Sequence, residues 1–142
     1  CKSLKEIKIP SSVNSIGDYA FNGCSSLKKI TFPSSVTSIG RNIFGGVESL
    51  EIFGDIKQIH DNLFSQCISL TCISFPSTVT SIGNYAFFQC SSLSHVTIPP
   101  FVTSIGSYAF YGCTSLTHIE IPSSVKSIGE NAFFQCQFQI KP

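Results

Sequence analysis

The sequence contains no methionine and no tryptophan, and only 12% of its 142 residues are charged. That share is about half the usual one. Nine Lys and Arg stand against eight Asp and Glu, a net charge of +1. The balance excludes a nucleic-acid binder driven by bulk charge and a polybasic binder of membrane surfaces. From Asn62 to Ile119 there is no Asp, Glu, Lys or Arg at all. No run of 18 apolar residues occurs, so no direct membrane insertion is expected of this segment. No signal-peptide pattern, lipidation motif or N-x-Ser/Thr sequon appears within these residues, and for a segment that does not open on Met the first two say little. No C-x-x-C is present, which removes a zinc knuckle and a dithiol redox motif. The glycines do not follow G-x-G-x-x-G, which removes a phosphate loop. A nucleophilic triad needs Ser, His and an acid in contact, and His95 lies in the charge-free stretch with no acid to orient it. No enzymatic activity, no cofactor and no metal are therefore expected. What is present is 42% apolar residues and many Ser and Thr, enough for a core with an uncharged polar surface.

The dominant signal is an internal repeat. Leu4, Leu27, Leu50, Leu70, Leu93 and Leu116 recur at steps of 23, 23, 20, 23 and 23 residues. Further columns follow each leucine: Ile9, Phe32, Phe75, Ile98 and Ile121; Val13, Val36, Ile56, Val79, Val102 and Val125; Ile16, Ile39, Ile59, Ile82, Ile105 and Ile128. Phe21, Phe44, Phe64, Phe87, Phe110 and Phe133 form an unbroken phenylalanine column. One such unit cannot bury its own apolar face, so units stack and like residues sit on like. The L-x-x-I-x-I stretch alternates with period two, as a short strand with one inward face does. Stacked, these strands make a parallel sheet, and at about 4.8 Å per unit the core is about 29 Å long. Pro10, Pro33, Pro76, Pro99 and Pro122 end the ladder on that side. V-x-x-I-G turns the chain and is a candidate second short strand, with Gly17, Gly40, Gly83, Gly106 and Gly129 expected at positive φ. The x-x-A-F-x-x-C segment reads as a single helical turn, α or 3₁₀.

The pattern is similar to the leucine-rich repeat class and, more closely, resembles the BspA-like (Treponema pallidum-type) leucine-rich repeats. Their 23-residue unit is L-x-x-I-x-I-P-x-x-V-x-x-I-G-x-x-A-F-x-x-C-x-x, and the likeness covers nearly the whole chain. In place of the asparagine ladder of the wider class stand Ser12, Ser35, Thr78 and Ser124, with Phe101 once. The resemblance implies a leucine-rich repeat solenoid of the α/β horseshoe class, right-handed, with a parallel sheet on one face and short β and single helical turns on the other. It also implies a place at the cell surface or outside the cell, and adhesion or ligand binding rather than catalysis. The chain, 1–142, is expected to be one such domain with repeats truncated at both ends. Cys1 stands where the repeat cysteine of a preceding unit would be, and Gln139 where the next leucine would be.

The third unit breaks the pattern. Gly54-Asp55 replaces the Pro-Ser-Ser connection, and nearby Val47 replaces the cysteine, Ile43 and Leu63 the alanine, and His60 the glycine. Residues 47–65 hold four acids (Glu48, Glu51, Asp55, Asp61) and one base (Lys57), net −3. This is either drift of a tolerant repeat or a change of curvature that makes a binding notch. Cys24, Cys67, Cys90, Cys113 and Cys136 share one inward position. They read as reduced core thiols, with disulfides between neighbouring units as the alternative. Cys72, His95 and His118 fall in one outward column, with Glu6, Lys29 and Ile52 as its other members and Glu120 beside it. A straight row suits tetrahedral zinc poorly, and a plain solvent-facing column is the simpler reading. The candidate partner-binding surface is the open sheet face: Glu6, Lys8, Lys29, Thr31, Cys72, Ser74, His95, Thr97, His118 and Glu120. A second candidate is an aromatic strip of Tyr85, Phe88, Tyr108, Tyr111 and Phe134, which either covers seams between units or forms an adhesive patch. The expected partner is a protein or glycan, from a host or matrix, and not nucleic acid. An intracellular protein-interaction scaffold in the cytoplasm is the alternative, since reduced cysteines suit that compartment, and a structural spacer is a third possibility.

Overall fold

The computed structural model describes residues 1–137. In chain order its strands are β1 (Glu6–Lys8), β2 (Ser15–Ile16), β3 (Lys29–Phe32), β4 (Ser38–Ile39), β5 (Ser49–Gly54), β6 (Gln58–Ile59), β7 (Cys72–Ser74), β8 (Ser81–Ile82), β9 (His95–Val96), β10 (Ser104–Ile105) and β11 (Ser127–Ile128). The L-x-x-I-x-I stretches supply a five-stranded parallel front sheet, β1-β3-β5-β7-β9. The V-x-x-I-G segments supply parallel pairs on a second side, in two pieces: β2-β4 and β6-β8-β10-β11. A β-solenoid results, wound around the columns.

The core is the set of inward columns. Leu27, Leu50, Leu70, Leu93 and Leu116 are buried. The phenylalanine column stacks ring on ring, with centroids 4.9–5.9 Å apart and planes within 16° of parallel. Phe75 meets Phe64 and Phe87 edge-on at 6.1 and 5.9 Å. Offset and edge-on rings are the favoured aromatic geometries. All seven cysteines are unpaired. Cys90, Cys113 and Cys136 donate their thiol hydrogens to the carbonyls of Phe64, Phe87 and Phe110 at 2.9–3.1 Å. Burial pushes the Cys67 thiol up to about 12 and the Cys136 thiol up to about 11. The hydroxyls in the Ser and Thr column serve the same lateral purpose: Ser35, Thr78 and Ser124 donate to Val13, Ile56 and Val102 carbonyls at 2.7 Å.

Among the described residues no helix forms, so the expected single helical turns are not there. The reason is left-handed backbone. Two residues before each phenylalanine stand Tyr19, Asn42, Asn62, Tyr85, Tyr108 and Asn131, at φ between 50° and 62°. Two residues after it stand Gly23, Gly46, Gln66, Gln89, Gly112 and Gln135, at φ between 57° and 87°. Two such residues per unit stop any α or 3₁₀ run. The segment bonds sideways instead. Tyr85, Phe87 and Gln89 donate their N–H groups to Ser107, Ala109 and Tyr111 carbonyls at 2.6–2.9 Å.

The repeat glycines also differ from expectation. Gly17, Gly40, Gly83, Gly106 and Gly129 are outside the left-handed region, which Gly23, Gly46, Gly54 and Gly112 occupy instead. Crowding against the preceding unit explains Gly40, Gly83, Gly106 and Gly129, though not Gly17, which has open space: a Cβ on Gly106 would lie 2.6 Å from the Asn84 backbone nitrogen. Asx side chains wedge between units here, with Asp61 and Asn84 accepting from the Asn84 and Ser107 N–H groups at 2.8 Å.

The short third unit leaves two marks. On the front, only one residue separates Leu50 from Ile52, and both are buried. Ile30 pairs with Ile52, while Ile73 pairs with Leu50. The column therefore jumps two residues along β5. A slip of two preserves which side chains face inward, where a slip of one would invert them. Ile52 is consequently not a member of the outward column, and Glu51 and Phe53 face out in its place. Gly54 makes the tight connection at φ 107°, packed against the Phe32 backbone.

On the other sides, the lateral ladder stops between units two and three. Thr37, Thr80, Thr103 and Lys126 donate N–H groups to Asn14, Lys57, Thr80 and Thr103 carbonyls. The equivalent bond from Lys57 to Thr37 is missing, as is that from His60 to Ile39. The sideways bonds of the aromatic segment are missing there too, from Asn42, Phe44 and Gly46. Two substitutions coincide with the break, though Phe101 in the hydroxyl column leaves the Thr103–Thr80 and Gly106–Ile82 bonds intact, so they do not by themselves explain it. Arg41 occupies the acceptor place held by Asp18, Asp61 and Asn84, and a guanidinium cannot accept. Asp55 occupies the hydroxyl place of Ser35 and Thr78, and a carboxylate cannot donate.

The sixth unit adds no strand to the front sheet, whose last member is β9. His118 and Glu120 thus lie beyond the sheet edge rather than on it. Gln139 lies outside the described residues.

Candidate functional site

The front sheet exposes every second side chain at a spacing fixed by strand register. On its N-terminal part, Glu6 lies opposite Lys29, and Lys29 opposite Glu51, an alternation of charge across three strands. Thr31 lies opposite Phe53, which is 43% exposed. Lys8 is exposed opposite Thr31. On the C-terminal part, Cys72 lies between Ser49 and His95, and Ser74 opposite Glu51. Thr97 is exposed just past β9. Where the register steps, a shallow depression of about 340 Å³ opens, floored by Leu50 and Ile73 and rimmed by Lys28, Glu51, Cys72 and His95.

Cys72 and His95 are brought together, but His118 is a unit further on and outside the sheet. Its Nε2 lies 3.8 Å from Glu120 Oε1, with both side chains largely exposed. Solvent-screened pairs of this kind hold little energy. Among the described residues no three His, Cys, Asp or Glu side chains converge as a metal site would require. No helix of the described residues is long and apolar enough to cross a membrane.

The five aromatic residues lie together on the third side. Tyr85 stacks on Tyr108 at 5.0 Å, Phe88 on Tyr111 at 5.2 Å and Tyr111 on Phe134 at 5.5 Å. Tyr85–Phe88 and Tyr108–Tyr111 close the two rows into one cluster. The left-handed conformation of Tyr85 and Tyr108 is what lifts these rings out of the core and onto the surface.

Three exposed apolar side chains escape a column-based reading: Phe53, Ile68 and Phe101, the last two each 63% exposed. Ile68 and Phe101 replace residues of polar columns, which is a visible signal. Phe53 is exposed only because the third unit lost a residue between Leu50 and Ile52.

The family model for the BspA-type leucine-rich repeat region matches residues 1–53 and 46–141, with six copies. No curated protein matches the chain. Among solved structures, a leucine-rich repeat protein from Bacteroides ovatus ATCC 8483 is 33% identical with a TM-score of 0.77, over 94% of this chain and 35% of its own. One from Eubacterium ventriosum ATCC 27560 is 28% identical with a TM-score of 0.77, over 99% and 45%. A leucine-rich cell surface protein from Faecalibacterium prausnitzii A2-165 is 36% identical with a TM-score of 0.63, over 81% and 31%. The chain thus spans less than half the length of these three structures. Its period, its columns and its parallel-sheet solenoid agree with the match along nearly the whole sequence, and the chain belongs to the BspA-type leucine-rich repeat family.

Proposed function

We propose that this chain is a non-catalytic protein-binding segment of a cell-surface or secreted protein, and that its front sheet face makes the contact. The observation that carries the reading is the uncovered face itself. Nothing in the described chain packs over Lys29, Glu51, Phe53, Cys72 or His95, yet the strands hold them at fixed spacing. A rigid display of mixed charged, aromatic and polar groups binds a partner by summed contacts with little ordering cost. Phe53, an exposed ring flanked by an alternating-charge row, is the natural anchor. Host or matrix proteins and glycans are the partners to screen. The Faecalibacterium relative being a cell surface protein supports the location.

The test has two arms. Antibody raised against the chain should label intact, unpermeabilised source cells, and labelling only after permeabilisation refutes the location. A partner captured from matrix or host protein arrays should lose affinity at least about tenfold on Phe53→Ala, and a partner indifferent to Phe53, Glu51 and His95 together refutes the face. A second reading, an intracellular interaction scaffold, is favoured by the seven unpaired cysteines, which suit a reducing compartment. The labelling experiment separates the two.

A further inference from the structure

The interruption between units two and three is a cavity. It measures about 280 Å³ and is lined by Phe32, Val36, Ile39 and Ile56 below and by Asp55, Lys57, Gln58 and His60 at its rim. All Cα atoms of β4 lie more than 8 Å from those of β6. Paired strands are about 4.8 Å apart, so two strands flanking a third are about 9.6 Å apart. A separation above 8 Å is too wide for direct pairing and is compatible with a strand between them. Its walls are complementary. Unit two presents the Thr37 and Ile39 carbonyls, and unit three the Lys57 and His60 N–H groups, none with a partner in the described chain. Everywhere else along the solenoid these same positions are bonded: Thr80 N–H to Lys57 carbonyl and Gly83 N–H to Ile59 carbonyl, each at 2.8 Å. His60 lines the cavity, and its Nδ1 atom is buried without a hydrogen-bond partner.

We infer that this gap is a binding site for an extended peptide segment of a partner protein, which enters as an additional strand between β4 and β6. The peptide runs parallel to both walls. Its N–H groups donate to Thr37 and Ile39, and its carbonyls accept from Lys57 and His60, as one more repeat would do. Both walls of the gap are then satisfied at once, where ordinary strand addition covers a single edge. The alternation of side chains along the inserted strand sends one apolar residue down onto Val36, Ile39 and Ile56. Arg41 and Asp55 place no side-chain bond across this gap, where Asp61 and Thr78 bond across the next junction. The site lies off the front sheet and stands whether or not that face binds a partner.

The test uses a random decapeptide library displayed on phage, selected on the intact chain. Lys57→Pro is the diagnostic variant. The Lys57 N–H makes no bond in the free chain, while its carbonyl continues to accept from Thr80, so proline removes no hydrogen bond of the fold but takes a donor from the gap and puts a ring into it. Selected peptides should bind the variant about tenfold more weakly or worse, with its melting temperature unchanged. Hydrogen exchange gives the second readout: Lys57 and His60 amides should exchange quickly in the free chain and become protected by peptide, while Thr80 and Gly83 amides are protected throughout. Equal binding to Lys57→Pro overturns the proposal, as does failure to select any peptide. Protection of Lys57 and His60 in the free monomer shows a closed gap and overturns it too. Self-association abolished by Lys57→Pro makes a second copy the occupant and likewise overturns it.

Discussion

Truncating Phe110 tests the stacked column directly. The ring is fully buried and lies between Phe87 at 4.9 Å and Phe133 at 5.3 Å, nearly parallel to both. Removing a buried phenylalanine costs about 3–5 kcal/mol. Two stacks of about 0.5–1.5 kcal/mol each beyond the area term place Phe110→Ala near the top of that range. Phe21 ends the column, is partly exposed and stacks only on Phe44, so Phe21→Ala should cost about half as much. In urea, a slope of about 2 kcal/mol/M turns the Phe110 loss into a midpoint shift of about 2 M. A double-mutant cycle sharpens the test. Phe87→Ala and Phe110→Ala should couple by about 0.5–1.5 kcal/mol, and Phe21→Ala with Phe110→Ala should add without coupling. In a solenoid each unit feels only its neighbours. A Phe110→Ala loss below about 1 kcal/mol, or coupling as strong between Phe21 and Phe110 as between adjacent rings, would refute the stacked-column account.

The remaining predictions follow from the lateral bonds and the buried titratable groups. Burial lowers the His60 pKa below 6.5, against the opposing pull of Asp61. The unfolded chain therefore holds that proton more tightly. The contribution to stability is complete above pH 6.5 and is lost as pH falls below it toward the folded value. Melting temperatures at pH 7.5 and 5.5 should converge in His60→Asn relative to the native chain, and an unchanged difference would exclude His60 as the source. Thiol reagent under native conditions should modify Cys1 and Cys72, both exposed, and leave Cys67, Cys90 and Cys113 unreacted until the chain is denatured. Rapid reaction of all seven would contradict the burial pattern. Asn84→Ala removes the acceptor for the Ser107 N–H and should cost about 1 kcal/mol by urea denaturation. Arg41→Ala, where that bond is already missing, should be close to neutral.

What was legible in the sequence is what stacking demands. Burial of identical positions requires apolar residues in every unit, so the Leu, Ile and Phe columns and both sets of strands could be read directly. The x-x-A-F-x-x-C segment misled for a physical reason. Small and apolar residues at helical spacing look like a helical turn, but the conformation is decided by lateral hydrogen bonds to the next unit, which spacing does not report. Tyr85 and Tyr108 in left-handed conformation run against the intrinsic preference of bulky residues, so local propensity pointed away from the truth. On the front sheet, the outward positions of Glu6, Lys29, Cys72 and His95 were legible, whereas Ile52 was expected outward and is buried, and His118 and Glu120 lie past the last strand. Counting from Leu50 assumes an intact L-x-x-I, and the deletion lies inside that motif. Arg41 and Asp55 were visible as anomalies of charge. That they leave two side-chain bonds between units unmade needed the knowledge that Asp18 and Ser35 at those columns bond across units.

The missing lateral bonds also have a mechanical meaning. When such an array is pulled along its axis, the load is carried from unit to unit by the bonds between them. Between units three and four, four and five, and five and six, the aromatic segment alone contributes three main-chain bonds each. Between units two and three those three are gone, and the stacked rings of Phe44 and Phe64 and the β3–β5 pairing bear the tension. The solenoid is therefore a stiff rod with one soft joint. It should bend there first, with the front sheet as the hinge and the opposite side spreading. Under force it parts there before it unravels from either end, leaving the C-terminal units intact as a block.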